Sequence, residues 1–262
     1  MSHEFILDPA RLMALAEQFR MSYRNADPFP HAMIDNFLPE EVLRSVAASF
    51  PEPREIKWHE FDNPRQRKLA VEDETLIEGN ARWLLYQLNS SVFLRFLESL
   101  TGITGLISDP YFTGGGLHQI ERGGYLKIHA DFNRHPTFNL DRRLNLLLYL
   151  NEDWKEQYGG HLELWDKQMQ HCVRRILPIF NRCVIFDTTD VSFHGHPEAL
   201  ACPAGMTRRS LALYYYSNGR PAEESSSEHG TLVRPRPGET IEGLNGRRSI
   251  VKELTRRLTK RN

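Results

Sequence analysis

Long apolar runs are missing from this 262-residue chain, and so is an excess of charge of either sign. No uninterrupted apolar stretch approaches the roughly 20 residues that a membrane-spanning helix needs. The opening MSHEFILDPARL lacks the charged-then-apolar pattern of a secretory signal. Lys and Arg number 33 against 34 Asp and Glu, a formal net charge of −1. So balanced a chain has no global attraction to nucleic acid or to anionic membranes. Cysteine is scarce as well: Cys172, Cys183 and Cys202 are odd in number and widely spaced. That excludes a disulfide framework and a thiolate metal site, and fits a reducing compartment. These absences leave a cytoplasmic protein, long enough for one large β-rich domain with helical additions or for two small domains.

What is present divides by texture. The first hundred residues carry mainly helical signals. Asp8-Pro9 supplies an N-cap and a first helical residue, and Leu12, Leu15, Ala16 and Phe19 follow at helical spacing. Pro39-Glu40-Glu41 opens a second helix with Val42, Val46 and Phe50. A third helical stretch, from Ile77 to Leu100, carries Trp83, Leu84, Leu94 and Leu97. Between the last two lies IKWHEFDNPRQRKLAVEDE, which reads as a charged surface loop or as a flap over a substrate cleft.

From Leu117 onward short β-prone runs alternate with turn residues: LHQIER, YLKIHAD, LNLLLYLN, HLELWD, QHCVRRI, RCVIFD, VSFH and RRSLALYYY. That spacing suits a β-sandwich or barrel, and no helix-length pattern interrupts it to build a parallel sheet. The expected fold is mainly β with a helical N-terminal part. It is a double-stranded β-helix, the cupin-like jelly roll, flanked by helices and holding a ligand cleft between its sheets. The expected division is a helical part over 1–105, the jelly roll over 106–217 and an extension over 218–262. The last sixteen residues carry seven Lys/Arg against one Glu. Ile250, Val251, Leu254 and Leu258 share a helical face there, which predicts a short terminal helix on the core; the lack of stacking aromatics argues against a nucleic-acid arm.

The chemistry concentrates in YLKIHADFN. A strand points residues i and i+2 to one face, so Tyr125, Lys127, His129 and Asp131 share a face, with Leu126 and Ile128 on the other. An imidazole and a carboxylate side by side are two thirds of a metal site, or a hydrogen-bonded pair at a strand end. VSFHGHP adds His194, with His196 as its competitor two residues on. Two histidines and one carboxylate spaced His-X-Asp…His suit a facial triad, which leaves three metal positions open for a chelating co-substrate and dioxygen. A structural zinc site would instead close its shell, usually with cysteine. Fourteen residues after His194, Arg208 opens RRSLALYYY with a planar fork of donors suited to a carboxylate. Strand alternation turns Arg209 away and brings Ser210 back to the inside. Tyr149, on the face of Asn145 and Leu147, could add a hydroxyl to the same carboxylate. His118, His161 with Glu163, Trp154, Trp165 and Tyr214 to Tyr216 read as packing or hydrogen-bonded residues.

Residues 115 to 217 resemble the prolyl-4-hydroxylase-type catalytic domain of the iron(II)- and 2-oxoglutarate-dependent dioxygenases. The resemblance lies in GGYLKIHADFN, LNLLLYLNEDWKEQYGGHLELWD, FDTTDVSFHGHPE and TRRSLALYYYS, in the family's order and spacing. It implies His129, Asp131 and His194 as ligands of Fe(2+), Arg208 as the basic residue holding 2-oxoglutarate, and Tyr149 as a residue lining the co-substrate pocket. A family position often occupied by tyrosine, some ten residues before the first ligand, is taken here by Gln119. The implied reaction consumes dioxygen and 2-oxoglutarate, releases succinate and carbon dioxide, and hydroxylates an unactivated C–H bond. Related halogenases lose the carboxylate ligand, so Asp131 argues for hydroxylation. The resemblance adds L-ascorbate, which keeps the iron reduced, as an expected further ligand. It also suggests a prolyl residue of a peptide or protein as substrate. A free amino acid or natural-product intermediate is the other substrate reading, and a non-catalytic 2-oxoglutarate-binding jelly roll is the alternative of another class.

Overall fold

Asp8 accepts a hydrogen bond from the Ala10 amide and Pro9 takes the first helical position, so the chain enters α1 (Pro9–Arg24) where the sequence predicts. The computed structural model describes residues 5–244, so the expected terminal helix with Ile250, Val251, Leu254 and Leu258 lies outside the described residues. α2 (Glu40–Ala48) follows Pro39 and buries Leu43 and Val46. Where one helix was expected from 77 to 100 there are two, α3 (Gly79–Leu88) and α4 (Ser91–Thr101). Asn89 ends the first, and the Ser90 side chain accepts from the Phe93 amide to start the second. Short polar side chains compete for backbone bonds in this way, so the Asn-Ser-Ser step outweighs the helical periodicity on either side.

The strands are β1 (His31–Ile34), β2 (His59–Asn63), β3 (Gln66–Val71), β4 (Ile107–Ser108), β5 (Gly116–Ile120), β6 (Tyr125–Ala130), β7 (Asp141–Tyr149), β8 (Leu162–Trp165), β9 (Cys172–Ile176), β10 (Cys183–Asp187), β11 (His194–His196), β12 (Arg208–Ser217) and β13 (Leu232–Val233). The eight runs read from the sequence appear as β5 to β12. Among the described residues the sheet follows the order β1-β10-β7-β12-β5-β3-β6-β11-β8-β9. It curls into a half-barrel of the jelly-roll type. Leu144, Leu146 and Leu148 of β7 and Leu211, Leu213 and Tyr215 of β12 face outward. There they share one core with Phe93, Phe96, Leu97 and Leu100 of α4. Those four helix side chains are fully buried, each contributing about 1.5–3 kcal/mol by leaving water. A hydrogen bond from the Tyr23 hydroxyl to Asp187 ties α1 to the end of β10. No helix among the described residues is long and apolar enough to cross a membrane.

Two segments depart from the sequence reading. β1 joins the sheet edge beside β10, within a region read as helical. The charged stretch before residue 75 is a hairpin rather than a loop: β2 pairs β3, and the Asn63 side chain accepts from the Arg65 and Gln66 amides to close the turn. β2 is almost wholly exposed, so it shows no apolar alternation to read. β3 then joins the two halves of the half-barrel. Its Leu69 to Val71 pair with β5, and its Gln66 and Arg67 pair with β6.

A register shift in β7 matters for the site. Tyr215 of β12 sits opposite Leu144, but Tyr216 sits opposite Arg142, which leaves Arg143 as the extra residue. Such a bulge re-aims the side chains around it. Arg142 therefore turns to the inner face together with Asn145, and both line the cleft.

Candidate active site

β6 and β11 run antiparallel with His129 directly opposite His194. The two rings lie 4.5 Å apart between centroids. Each imidazole has its Nδ1 against a carbonyl two residues upstream, His129 on Lys127 at 2.8 Å and His194 on Ser192 at 2.9 Å. That contact places the proton on Nδ1 and leaves the Nε2 lone pair facing the cleft, the form that ligates a metal. Asp131 lies between them, with Oδ1 3.4 Å from the His129 Nε2 and Oδ2 3.6 Å from that of His194. One ligand atom from each of the three falls within 4.8 Å of the others, and all three side chains are buried. Burial, then the nearby His129, pulls His194 down to about 4 despite Asp131, so the ring is neutral at pH 7.

The carboxylate is itself held. Asp131 Oδ2 accepts from Arg142 at 2.9 Å and from the Asn145 amide at 3.1 Å. Arg142 is 1% exposed, and its guanidinium lies between the rings of Phe132, at 4.4 Å, and Tyr214, at 3.4 Å. Burial works to raise the Asp131 pKa, but Arg142 and the two imidazoles outweigh it and hold the carboxyl well below the usual range. Arg142 thus orients the one anionic donor of the triad. Its replacement by methionine is expected to weaken divalent-metal affinity by about 10- to 100-fold, read by metal titration, as losing an outer partner of a ligand does.

Across the cleft, Arg208 is buried at the start of β12. Its Nε donates to the Gly160 carbonyl at 2.9 Å and its Nη2 to the Tyr149 hydroxyl at 3.2 Å. Among the described residues no carboxylate forms an ion pair with it, and burial lowers its pKa. A buried guanidinium without a counter-charge is costly unless a ligand brings one. The cleft between triad and guanidinium offers about 280 Å³, close to the usual size for a small-molecule site.

The neighbours behave as strand alternation demands. Arg209 points away and bonds Gln119, Thr207 and Glu52, while Ser210 lines the cleft. Gln119 is fully buried on that other side, bonded to the Pro51 carbonyl and to Thr207, and the β5 residues that reach the cleft are His118 and Ile120. His161 and Glu163 make no site: the first lies 2.8 Å from Glu156 and the second accepts from Trp165. Tyr214, read as packing, lines the cleft against Arg142. Arg142, Lys68 and His196 also line it; the sequence offers His196 only as an alternative to His194, and singles out neither Arg142 nor Lys68. A β-bulge hid the first of these two and an exposed hairpin the second.

Residues 115–216 match the family model of the 2OG-Fe(II) oxygenase superfamily. This segment is a 2OG-Fe(II) oxygenase domain. Iron(II) and 2-oxoglutarate are the metal and co-substrate of the oxygenase domain. Among relatives, prolyl 3-hydroxylase OGFOD1 of Mus musculus is 25% identical over 195 residues, covering 72% of this chain and 33% of that protein. The chain therefore spans about a third of the length of that curated relative. A prolyl hydroxylase from Trichoplax adhaerens, solved with a hypoxia inducible factor peptide fragment, superposes with a TM-score of 0.55 at 20% identity, covering 83% of this chain and 96% of that one. HygX from Streptomyces hygroscopicus, solved with nickel and 2-oxoglutarate, reaches 0.52 at 9% identity, over 81% and 96%. Both share the fold of this chain.

Proposed function

We propose that His129, Asp131 and His194 hold the iron, that Arg208 and Tyr149 hold the 5-carboxylate of 2-oxoglutarate, and that the enzyme hydroxylates a prolyl residue in a peptide or protein. The carrying observation is the pairing of a two-imidazole, one-carboxylate triad with a buried guanidinium that lacks an anion among the described residues, both lining one cleft. The donor set fits ferrous iron: two nitrogens and one oxygen, with no thiolate. Bound there, the iron supplies the oxidative decarboxylation of 2-oxoglutarate by dioxygen, coupled to hydroxylation of a C–H bond.

The chain's own residues set the stage. Lys127 and Ser192 carbonyls fix the imidazole tautomers. Arg142 and Asn145 fix the carboxylate. Arg208 presents a fork to the distal carboxylate, and Tyr149 keeps its hydroxyl beside that fork. Burial raises the Tyr149 pKa, so it stays a neutral donor. The prolyl substrate class is supported by the relationship to the mouse prolyl 3-hydroxylase. A cytoplasmic setting suits three unpaired cysteines, two of them buried.

The test is aerobic incubation of the iron-loaded protein with 2-oxoglutarate and proline-containing peptides. Succinate release matched by a mass gain of one oxygen on the peptide is expected. Succinate without any modified peptide would refute the prolyl assignment, and activity that persists without oxygen would refute the dioxygenase chemistry.

A further inference from the structure

The cleft holds more positive charge than the assigned chemistry uses. Arg65, Lys68, Lys127, Arg142 and Arg208 line it against one acid, Asp131. Arg142 is committed to Asp131, and Lys127 to Glu239 at 2.6 Å. Arg208 is the co-substrate's partner under the proposed function. A ferrous ion and a 2-oxoglutarate dianion together carry no net charge, so the excess persists once both are bound.

Arg65, in the turn before β3, and Lys68 are the cleft-lining cations left over, and Lys68 is the one borne on the sheet. It comes from β3, the strand joining the two halves of the sheet, and its Nζ lies 5.3 Å from the centre of the Phe61 ring. Among the described residues it has no ion-pair partner, and the acid whose charge reaches it is Asp131, already taken. Strand register separates it from Arg208. One step beyond the Leu69–Gln119 pair, Lys68 falls beside Ile120, and Ile120 is opposite Arg208. The two cations thus sit two strands apart, about 10 Å between backbones, and address different parts of the cleft.

β11, two strands from β3 across β6, supplies a second observation. His196 is 4% exposed and lines the cleft, yet neither of its ring nitrogens has a hydrogen-bond partner. Buried polar atoms are rarely left so unless a ligand completes them. Along the sheet, Lys68 on β3 lies between Arg208 on β12 and His196 on β11, and all three line the one cleft.

We propose that Lys68 and His196 form a second polar subsite in the cleft, which takes a carboxylate carried by the substrate. For a peptide this means an acidic residue beside the hydroxylated one. The inference rests on the iron and 2-oxoglutarate reading and narrows its substrate class.

The test uses the iron-loaded enzyme with 2-oxoglutarate and single-proline peptides synthesised in pairs, Glu or Gln beside the proline. Wild type is expected to show a KM about tenfold lower for Glu peptides, as a charge-assisted contact gives. In Lys68→Met that preference should shrink to about twofold or less, and Lys68→Arg should restore most of it. His196→Leu should raise the KM of the Glu peptides more than that of the Gln peptides. Equal KM values for the pair in wild type would overturn the proposal. So would a Lys68→Met protein that keeps the peptide preference but needs more 2-oxoglutarate, which would assign the lysine to the co-substrate. If no peptide is hydroxylated, the prolyl reading fails by itself. N-acetylglutamate and N-acetylglutamine titrated against peptide-free succinate release then judge the subsite. An effect of the acid alone, lost in Lys68→Met, upholds it; equal effects or none refute it.

Discussion

The His194→Ala protein is expected to bind no ferrous iron at concentrations that saturate wild type and to release no succinate above background. Removing one of three donors leaves two, and a divalent ion held by two protein ligands is held mostly by water. The same loss is expected of His129→Ala and Asp131→Ala, but the aspartate variant carries a second liability. Arg142 is 1% exposed and bonds Asp131 at 2.9 Å, so truncating the acid strands a buried cation. Breaking such a pair costs about 3–5 kcal/mol. Asp131→Ala should therefore melt well below wild type, whereas the histidine variants keep that buried pair. Metal titration with thermal melts on all three separates lost ligation from lost folding. Full ferrous affinity in Asp131→Ala would overturn the metal assignment.

The second large effect is expected of Arg208→Met, which should raise the 2-oxoglutarate requirement by about 30-fold to 1,000-fold or more. Losing one side of a buried, hydrogen-bonded charge pair costs about 2–5 kcal/mol in affinity, and each 1.4 kcal/mol is about tenfold. Iron affinity should be retained, because Arg208 bonds Gly160 and Tyr149 and none of the three ligands. Arg208→Lys should recover only part of the loss, since an ammonium keeps the charge without the planar fork. Titrating 2-oxoglutarate into the iron-loaded variants under anaerobic conditions reads both quantities. Unchanged co-substrate affinity in Arg208→Met would move the carboxylate site elsewhere.

How much of this was legible in the sequence depended on whether a signal was periodic. The eight runs from LHQIER to RRSLALYYY became strands because alternation and turn residues agreed with the final packing. The i, i+2 rule placed His129 and Asp131 together, and the antiparallel pairing of β6 with β11 supplied His194. Alternation also turned Arg208 inward and Arg209 outward. The rule failed where the backbone departs from it. Arg142 and Asn145 differ by three positions and point to opposite faces of a regular strand, yet the extra residue Arg143 brings both to Asp131. Lys68 was lost inside a stretch whose solvent-exposed partner strand hides any pattern. The break at Asn89-Ser90 was overlooked because the apolar spacing continues through it.

The last strand carries a practical lesson. The match to the oxygenase family stops at residue 216, yet Leu232 and Val233 run alongside Ala130 and His129, and the Arg234 amide reaches the Ile128 carbonyl. Further on, Glu239 grips Lys127. Trimming the gene to the recognised segment would thus peel a selvedge from the cloth that carries His129. The bared amides and carbonyls of that border would be free to zip onto another copy, and the shortened product should precipitate sooner than it catalyses.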